Sequence, residues 1–150
     1  MDAVVIGGGP AGAAAGRLLA AWGHSVTILD QPSPRARGLA ESIPPSTHKL
    51  LAEIGLLDAV ERGGFLRGRG NTVWWGEDSP RIETFPPAAA GYQVDRARFD
   101  ALLRRLAEHS GAEVRTGLVR DVQLAGDTDA DERALPSVTI ETGAETTHTS

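Results

Sequence analysis

The chain opens with a β-branched apolar run, Asp2 to Ile6 (DAVVI), that passes directly into Gly7, Gly8, Gly9, Pro10, Ala11 and Gly12, the pattern of a buried strand entering a tight turn. The AGAAAGRLLAAW that follows is rich in strong helix formers, has proline at the entry where a missing N–H costs nothing, and meets a stop at Gly23. Ser25 to Leu29 (SVTIL) is a second apolar run closed by Asp30. The opening therefore reads as a βαβ unit with its two strands parallel.

The stretch QPSPRARGLAESIPPS carries neither period and predicts a surface loop. Ser46 or Thr47 is placed to cap a short helix through Ile54, Gly55 to end it, and Leu56 to Arg62 to add a further turn or two. Phe65 to Gly76 and Arg81 to Phe85 predict strands around a turn at Glu77 to Pro80, a small antiparallel excursion. The clearest later helix is Arg96 to His109, where Phe99, Leu102, Leu103 and Leu106 share one face, arginines and acids the other, and Asp95 is the natural cap. Glu113 to Thr116, Leu118 to Leu124 and Ser137 to Thr142 predict strands, with the acidic turn GDTDADER before the last and a frayed polar ending, ETTHTS.

Composition narrows the partners more than the fold. At 150 residues, 41% hydrophobic and 23% charged, the chain is a soluble-type sequence with length for one modest core. A net charge of −5 gives no attraction to nucleic acid or an anionic membrane surface, so the expected partner is a small molecule. No cysteine is present, which excludes disulfides, thiolate metal sites and a cysteine nucleophile; redox chemistry would need a borrowed cofactor. No apolar run approaches the roughly 20 residues that span a bilayer, and a cytoplasmic setting is expected.

The spacing Gly7-x-Gly9-x-x-Gly12 sharpens the picture because its glycines answer separate demands: a tight turn, close approach of a pyrophosphate, and close packing of helix on strand. The helix then points unpaired N–H groups at the phosphates. Gly16, one turn further on, keeps the same face free of bulk. Asp30 closes the second strand at close to the separation of about 20 residues at which an acid accepts hydrogen bonds from a ribose, and it would repel a 2′-phosphate. The predicted fold class is α/β, a Rossmann-like dinucleotide-binding βαβ core with a small antiparallel excursion, incomplete at the C-terminus.

The GGGPAG wording at the start resembles the FAD-binding domain of the glutathione-reductase-like flavoproteins, most closely the flavin-dependent monooxygenase, geranylgeranyl reductase and tryptophan halogenase superfamily. Residues 38 to 48 (GLAESIPPSTH) are similar to that superfamily's G-E-S-x-x-P loop, 92 to 103 (YQVDRARFDALL) to its V-x-R-x-x-F-D motif, and 111 to 122 (GAEVRTGLVRDV) to its adenine-contacting strand. The resemblance implies FAD as cofactor, with Gly7, Gly9, Pro10, Ala11, Gly12, Asp30 and Gln31 around its ADP half. It also implies Arg37 on the ribose or pyrophosphate side, Ser42 near the flavin, Arg96 or Gln93 near the pyrophosphate or ribityl chain, and the backbone of Val119 at adenine. A small-molecule substrate follows, with NAD(P)H or a flavin reductase as electron donor.

The catalytic chemistry is not carried by this stretch. There is no carboxylate pair, no supported Ser/His/Asp order, and no metal-ligand spacing among His24, His48, His109 and His148, which are expected at the surface. The resembling halogenases use a lysine in the strand region after the G-E-S-type loop; here FLRGRGNTVWWG has none, and Lys49, the chain's only lysine, falls on the helix before it. That departure argues against halogenation and leaves hydroxylase-like, reductase-like or maturation-type chemistry. Of Trp74 and Trp75, strand alternation expects one in the core and one over a partner, with a substrate face as the other option. The family pattern continues with an alanine-threonine-glycine motif, a substrate-binding sheet and a glycine-aspartate motif that this sequence does not include. Three readings stay open: part of a flavin oxidoreductase, a non-catalytic FAD- or ADP-binding module completed by another chain, and an NAD-dependent dehydrogenase domain.

Overall fold

The computed structural model describes residues 2–31, 40–76, 79–86, 90–123, 137–142 and 145–149. Where the length suggests one core, the chain divides into two compact units, Met1–Pro32 with Leu103–Ser150, and Ser33–Leu102.

In the first unit, β1 (Ala3–Ile6), α1 (Pro10–Ala21) and β2 (Val26–Asp30) form the expected βαβ opening. β2 pairs in parallel with β1 on one side and with β8 (Glu113–Thr116) on the other, in the order β1-β2-β8. A central parallel strand is covered on both faces, which is why its sequence is an unbroken VTIL rather than an alternation. Val26 and Ile28 join Ala107 and Ala112 in one buried cluster; Leu29 joins Val138 in another, flanked by Val4 and Val119. Burying each of these larger aliphatic side chains contributes about 2 kcal/mol. Helix α1 can lie this close to β2 because Gly16 has no side chain: a Cβ there would stand 2.5 Å from Ile28 Cδ1.

A second sheet of this unit has the order β11-β10-β9, built from β9 (Leu118–Gln123), β10 (Ser137–Thr142) and β11 (Glu145–Thr149), all antiparallel. The ending expected to fray is thus a paired strand; threonine suits extended backbone, and the ladder needs no apolar side chains. The acidic turn GDTDADER lies outside the described residues.

In the second unit, β7 (Gly91–Asp95) is the middle of a sheet ordered β3-β7-β4, with β3 (Ala40–Ile43) and β4 (Leu66–Gly68) antiparallel to it. Tyr92 and Val94 are buried, together with Leu51 of α2 (Thr47–Glu53), Val60 of α3 (Leu57–Arg62) and Leu56, which precedes α3. Two expectations change here. The aperiodic stretch contains the strand β3, and Phe65 to Gly76 is two strands, β4 and β5 (Gly70–Val73), the latter paired with β6 (Arg81–Thr84) as a hairpin. Ser46 precedes α2 but makes no side-chain cap, whereas Asp95 caps α4 (Arg96–His109): its Oδ1 accepts from the Arg98 N–H at 2.9 Å. The boundary between the two units falls within α4.

Candidate dinucleotide site

The turn between β1 and α1 is held from inside the first unit. Gly7 takes φ +97°, a region that disfavours any side chain, while its N–H donates to the Leu29 carbonyl at 2.7 Å. Gly8 is buried and donates its N–H to Asp30 Oδ1 at 2.8 Å. Gly9 is the N-cap of α1 in extended backbone, with its carbonyl accepting from Ala13 at 2.9 Å. Gly12 fits only as glycine, since a Cβ would stand 1.8 Å from the Gly7 carbonyl oxygen and 3.2 Å from Val5 Cγ1.

Helix α1 begins with no side-chain cap, Pro10 in its first turn and no acid there to compete for an anion. Its unpaired N–H groups and positive dipole end suit a diphosphate. The donors present therefore fit the ADP half of a dinucleotide: a glycine cradle with no room for side chains, an uncapped helix start, and a carboxylate at the end of the neighbouring strand.

That carboxylate is bound on both oxygens. Asp30 Oδ1 accepts from Gly8, and Oδ2 lies 3.1 Å from Arg104 Nη1, which also donates to the Gly8 carbonyl at 3.0 Å. Gln31 follows, exposed. Val119 sits half-buried on β9 against the Leu29 and Val138 cluster. It pairs with Ile140 while Thr139 pairs with Asp121, so Arg120 is an extra residue in β9, a bulge beside this position.

Ser42 and Arg96 belong to the second unit. Ser42 Oγ donates to Gln93 Oε1 at 2.9 Å across the β3–β7 pair. Arg96 donates from Nε and Nη2 to Asp100 at 3.0 and 3.1 Å and from Nη1 to Glu41 at 2.6 Å. The hydrogen bonds to Asp100, and next those to Glu41, hold its guanidinium above its usual pKa. Arg37 lies outside the described residues.

Two other expectations change. Trp74 and Trp75 are 66% and 87% exposed, so neither enters the core. An open cleft of about 460 Å³ beside Trp75 is lined by that residue with Val73, Ser79, Arg81 and Glu83. His48 is half-buried rather than exposed: its ring stacks on Tyr92 with centroids 5.2 Å apart, and its Nε2 is buried without a hydrogen-bond partner among the described residues. Burial, and then the neighbouring Glu61, push the Tyr92 phenol above its usual pKa. Lys49 is exposed on α2 and faces Glu53. Among the described residues no group of acids and histidines is placed to hold a metal. No helix among them is long and apolar enough to cross a membrane.

Sequence reasoning missed Gly8 and Arg104. The G-x-G-x-x-G spacing treats Gly8 as a free position, yet a Cβ there would stand 2.7 Å from Asp30 Cγ and 3.0 Å from Arg104 Cδ. Arg104 reads as one of several charges on the polar face of α4, and no local signal distinguishes it.

The FAD binding domain family matches residues 1–146. Among characterised proteins, a 1H-pyrrole-2-carbonyl-[peptidyl-carrier protein] brominase of Pseudoalteromonas luteoviolacea is 32% identical over 81% of this chain and 30% of its own length. A tryptophan 2-halogenase of Chondromyces crocatus is 32% identical over 77% of this chain and 22% of its own. Among solved structures, the myxobacterial chondrochloren halogenase CndH superposes with a TM-score of 0.81 at 36% identity, covering 98% of this chain and 34% of that one. The chain thus spans between about a fifth and about a third of the length of these relatives.

Proposed function

The chain belongs to the FAD binding domain family and takes FAD as its cofactor, and from that premise we propose that it is the nucleotide-holding part of a flavin-dependent oxidoreductase of the monooxygenase type, acting on a small organic substrate. The observation that carries this is the Gly7–Gly12 turn at the uncapped start of α1, tied by the Gly8 N–H to Asp30. In this reading the first-turn amides of α1 hold the diphosphate, and Asp30 accepts from the adenosine ribose hydroxyls with Gln31 beside it. The backbone at Val119 lies along the adenine. Arg37, Ser42 and Arg96 are read as further contacts to the cofactor. When bound, the isoalloxazine supplies the electron transfer, and the protein supplies position and surroundings.

The electron source in this reading is NAD(P)H or a separate flavin reductase, and the setting is cytoplasmic. Halogenation is what the named relatives are known by, but Phe65 to Gly76 carries no lysine and we favour oxygenation or reduction.

The test is a titration of the purified chain with FAD, followed by flavin fluorescence and the visible band, alongside Gly9→Val. The chain should bind and the variant should not, because a branched side chain would take the place of the diphosphate. A chain that ignores FAD but binds NADH would reverse the assignment in favour of a dehydrogenase domain.

A further inference from the structure

The geometry points to Arg104 as a positioning residue of the dinucleotide site, a role that rests on the FAD reading and that no part of the glycine-turn motif assigns. Its guanidinium bridges the two groups that shape the site: Nη1 donates to the Gly8 carbonyl at 3.0 Å and lies 3.1 Å from Asp30 Oδ2. Gly8 closes the loop by donating its N–H to Asp30 Oδ1 at 2.8 Å. Turn, acid and arginine are thus one cyclic unit, joining the first glycine loop to a helix residue far along the chain.

Burial makes the arrangement specific. The Asp30 and Arg104 side chains retain 14% and 25% of their exposure, so neither rotates freely into water, and the Arg104 stem packs where a Cβ on Gly8 would go. Two consequences follow for a nucleotide. Arg104 fixes the carboxylate rotamer, so its remaining lone pairs are set in direction before ribose hydroxyls meet them. It also supplies a positive charge beside Asp30, offsetting the repulsion that a bare carboxylate would exert on a diphosphate at the same turn. Arg104 touches the acid and the turn and acts on the nucleotide through them.

The experiment compares the 150-residue chain with Arg104→Met, Arg104→Lys, Asp30→Asn and the double variant Asp30→Asn/Arg104→Met. Each is titrated with FAD and then challenged with ADP and 2′-deoxy-ADP as competitors, with circular dichroism as the check on folding. Losing a charge-assisted contact predicts about tenfold weaker FAD for Arg104→Met and for Asp30→Asn, partial recovery in Arg104→Lys, and a double variant about as weak as Asp30→Asn alone. Preference for ADP over 2′-deoxy-ADP should fall from about tenfold to about twofold in Arg104→Met, because the acid that reads the hydroxyl is no longer held. An Arg104→Met that binds like the unaltered chain overturns the proposal. So does one that weakens both competitors equally with the preference intact, or losses that multiply in the double variant, since those are signs of a merely structural brace. An unaltered chain that binds neither FAD nor ADP overturns the FAD reading and the proposal together, and the first titration distinguishes that outcome from the others.

Discussion

Two glycines one helical turn apart allow the site to be tested against simple packing. Replacing Gly12 with alanine places a Cβ 1.8 Å from the Gly7 carbonyl oxygen, a backbone atom whose own residue is committed to φ +97°, and 3.2 Å from Val5 Cγ1. No rotamer relieves such a clash, so the cost lies at the top of the overpacking range, about 3 kcal/mol, less about 1 kcal/mol that alanine returns in helix propensity. Replacing Gly16 instead brings a Cβ to 2.5 Å from Ile28 Cδ1 and 2.8 Å from its Cγ1, atoms of a fully buried side chain rather than of the backbone, so the clash can be shared by small shifts in the core. There the strain is about 2 kcal/mol and the propensity gain offsets about half of it. Urea unfolding should therefore show a loss of about 2 kcal/mol for Gly12→Ala and of about 1 kcal/mol for Gly16→Ala. FAD titration should show binding lost in the first and kept in the second. If Gly12→Ala binds FAD as the unaltered chain does, the turn is not where the diphosphate sits; if Gly16→Ala is the more damaging, the packing argument is wrong.

Three further outcomes test the second unit. Tyr92 is the chain's sole tyrosine, so phenolate absorbance reports on it alone; its folded pKa is raised by burial and Glu61, so it should titrate above the ordinary phenol value of 10.0. The stability it contributes is present in full below that value and declines as pH rises from there toward the folded pKa, a decline that Tyr92→Phe should remove and that base denaturation would reveal. Arg96→Met should cost about 2 kcal/mol by leaving Asp100, 7% exposed, without its cation, and adding Asp100→Asn should restore most of that in a urea melt. Trp74→Ser and Trp75→Ser should each change stability by less than about 0.5 kcal/mol, since both side chains are exposed, and a larger loss would place one of them in a core.

What could be read from the sequence was what short-range chemistry decides. Strand, glycine turn and helix lie within one continuous stretch, and proline at the helix entry together with the VTIL run declares the parallel core without reference to any distant residue. Helix α4 was equally legible, its apolar face borne out by buried Phe99 and Leu103 and its cap by Asp95. β3 was not, because AESI is short and mostly exposed and becomes a strand only by pairing with β7, whose sequence lies far downstream. The paired tryptophans misled for the opposite reason: alternation assumes a strand with one covered face, and the hairpin β5–β6 is exposed along both its strands. The ion pairs of Arg96 and Arg104 are likewise invisible to periodicity, since a polar helix face looks the same whether its charges meet water or a partner.

Asp30 shows why a motif residue can carry two meanings at once. In the sequence it is the acid that a ribose needs, yet in the fold it already accepts from the Gly8 N–H, faces Arg104, and offers its backbone carbonyl to the Gly117 N–H at 3.1 Å. A residue with that many internal partners would matter to the fold even if no nucleotide ever met it, so a loss of FAD binding on changing Asp30 does not by itself identify a ribose contact. Discrimination between a ribose and its deoxy form does, because the internal hydrogen bonds are the same whichever competitor is added. The same reasoning separates the two roles of the glycine turn: its bonds to Leu29 and Ala13 shape the backbone, while the uncapped amides of α1 alone have a charge to offer a diphosphate. The function of this stretch therefore rests on what its groups have left over after folding, and that remainder is an anion-seeking helix end beside a carboxylate with lone pairs still free.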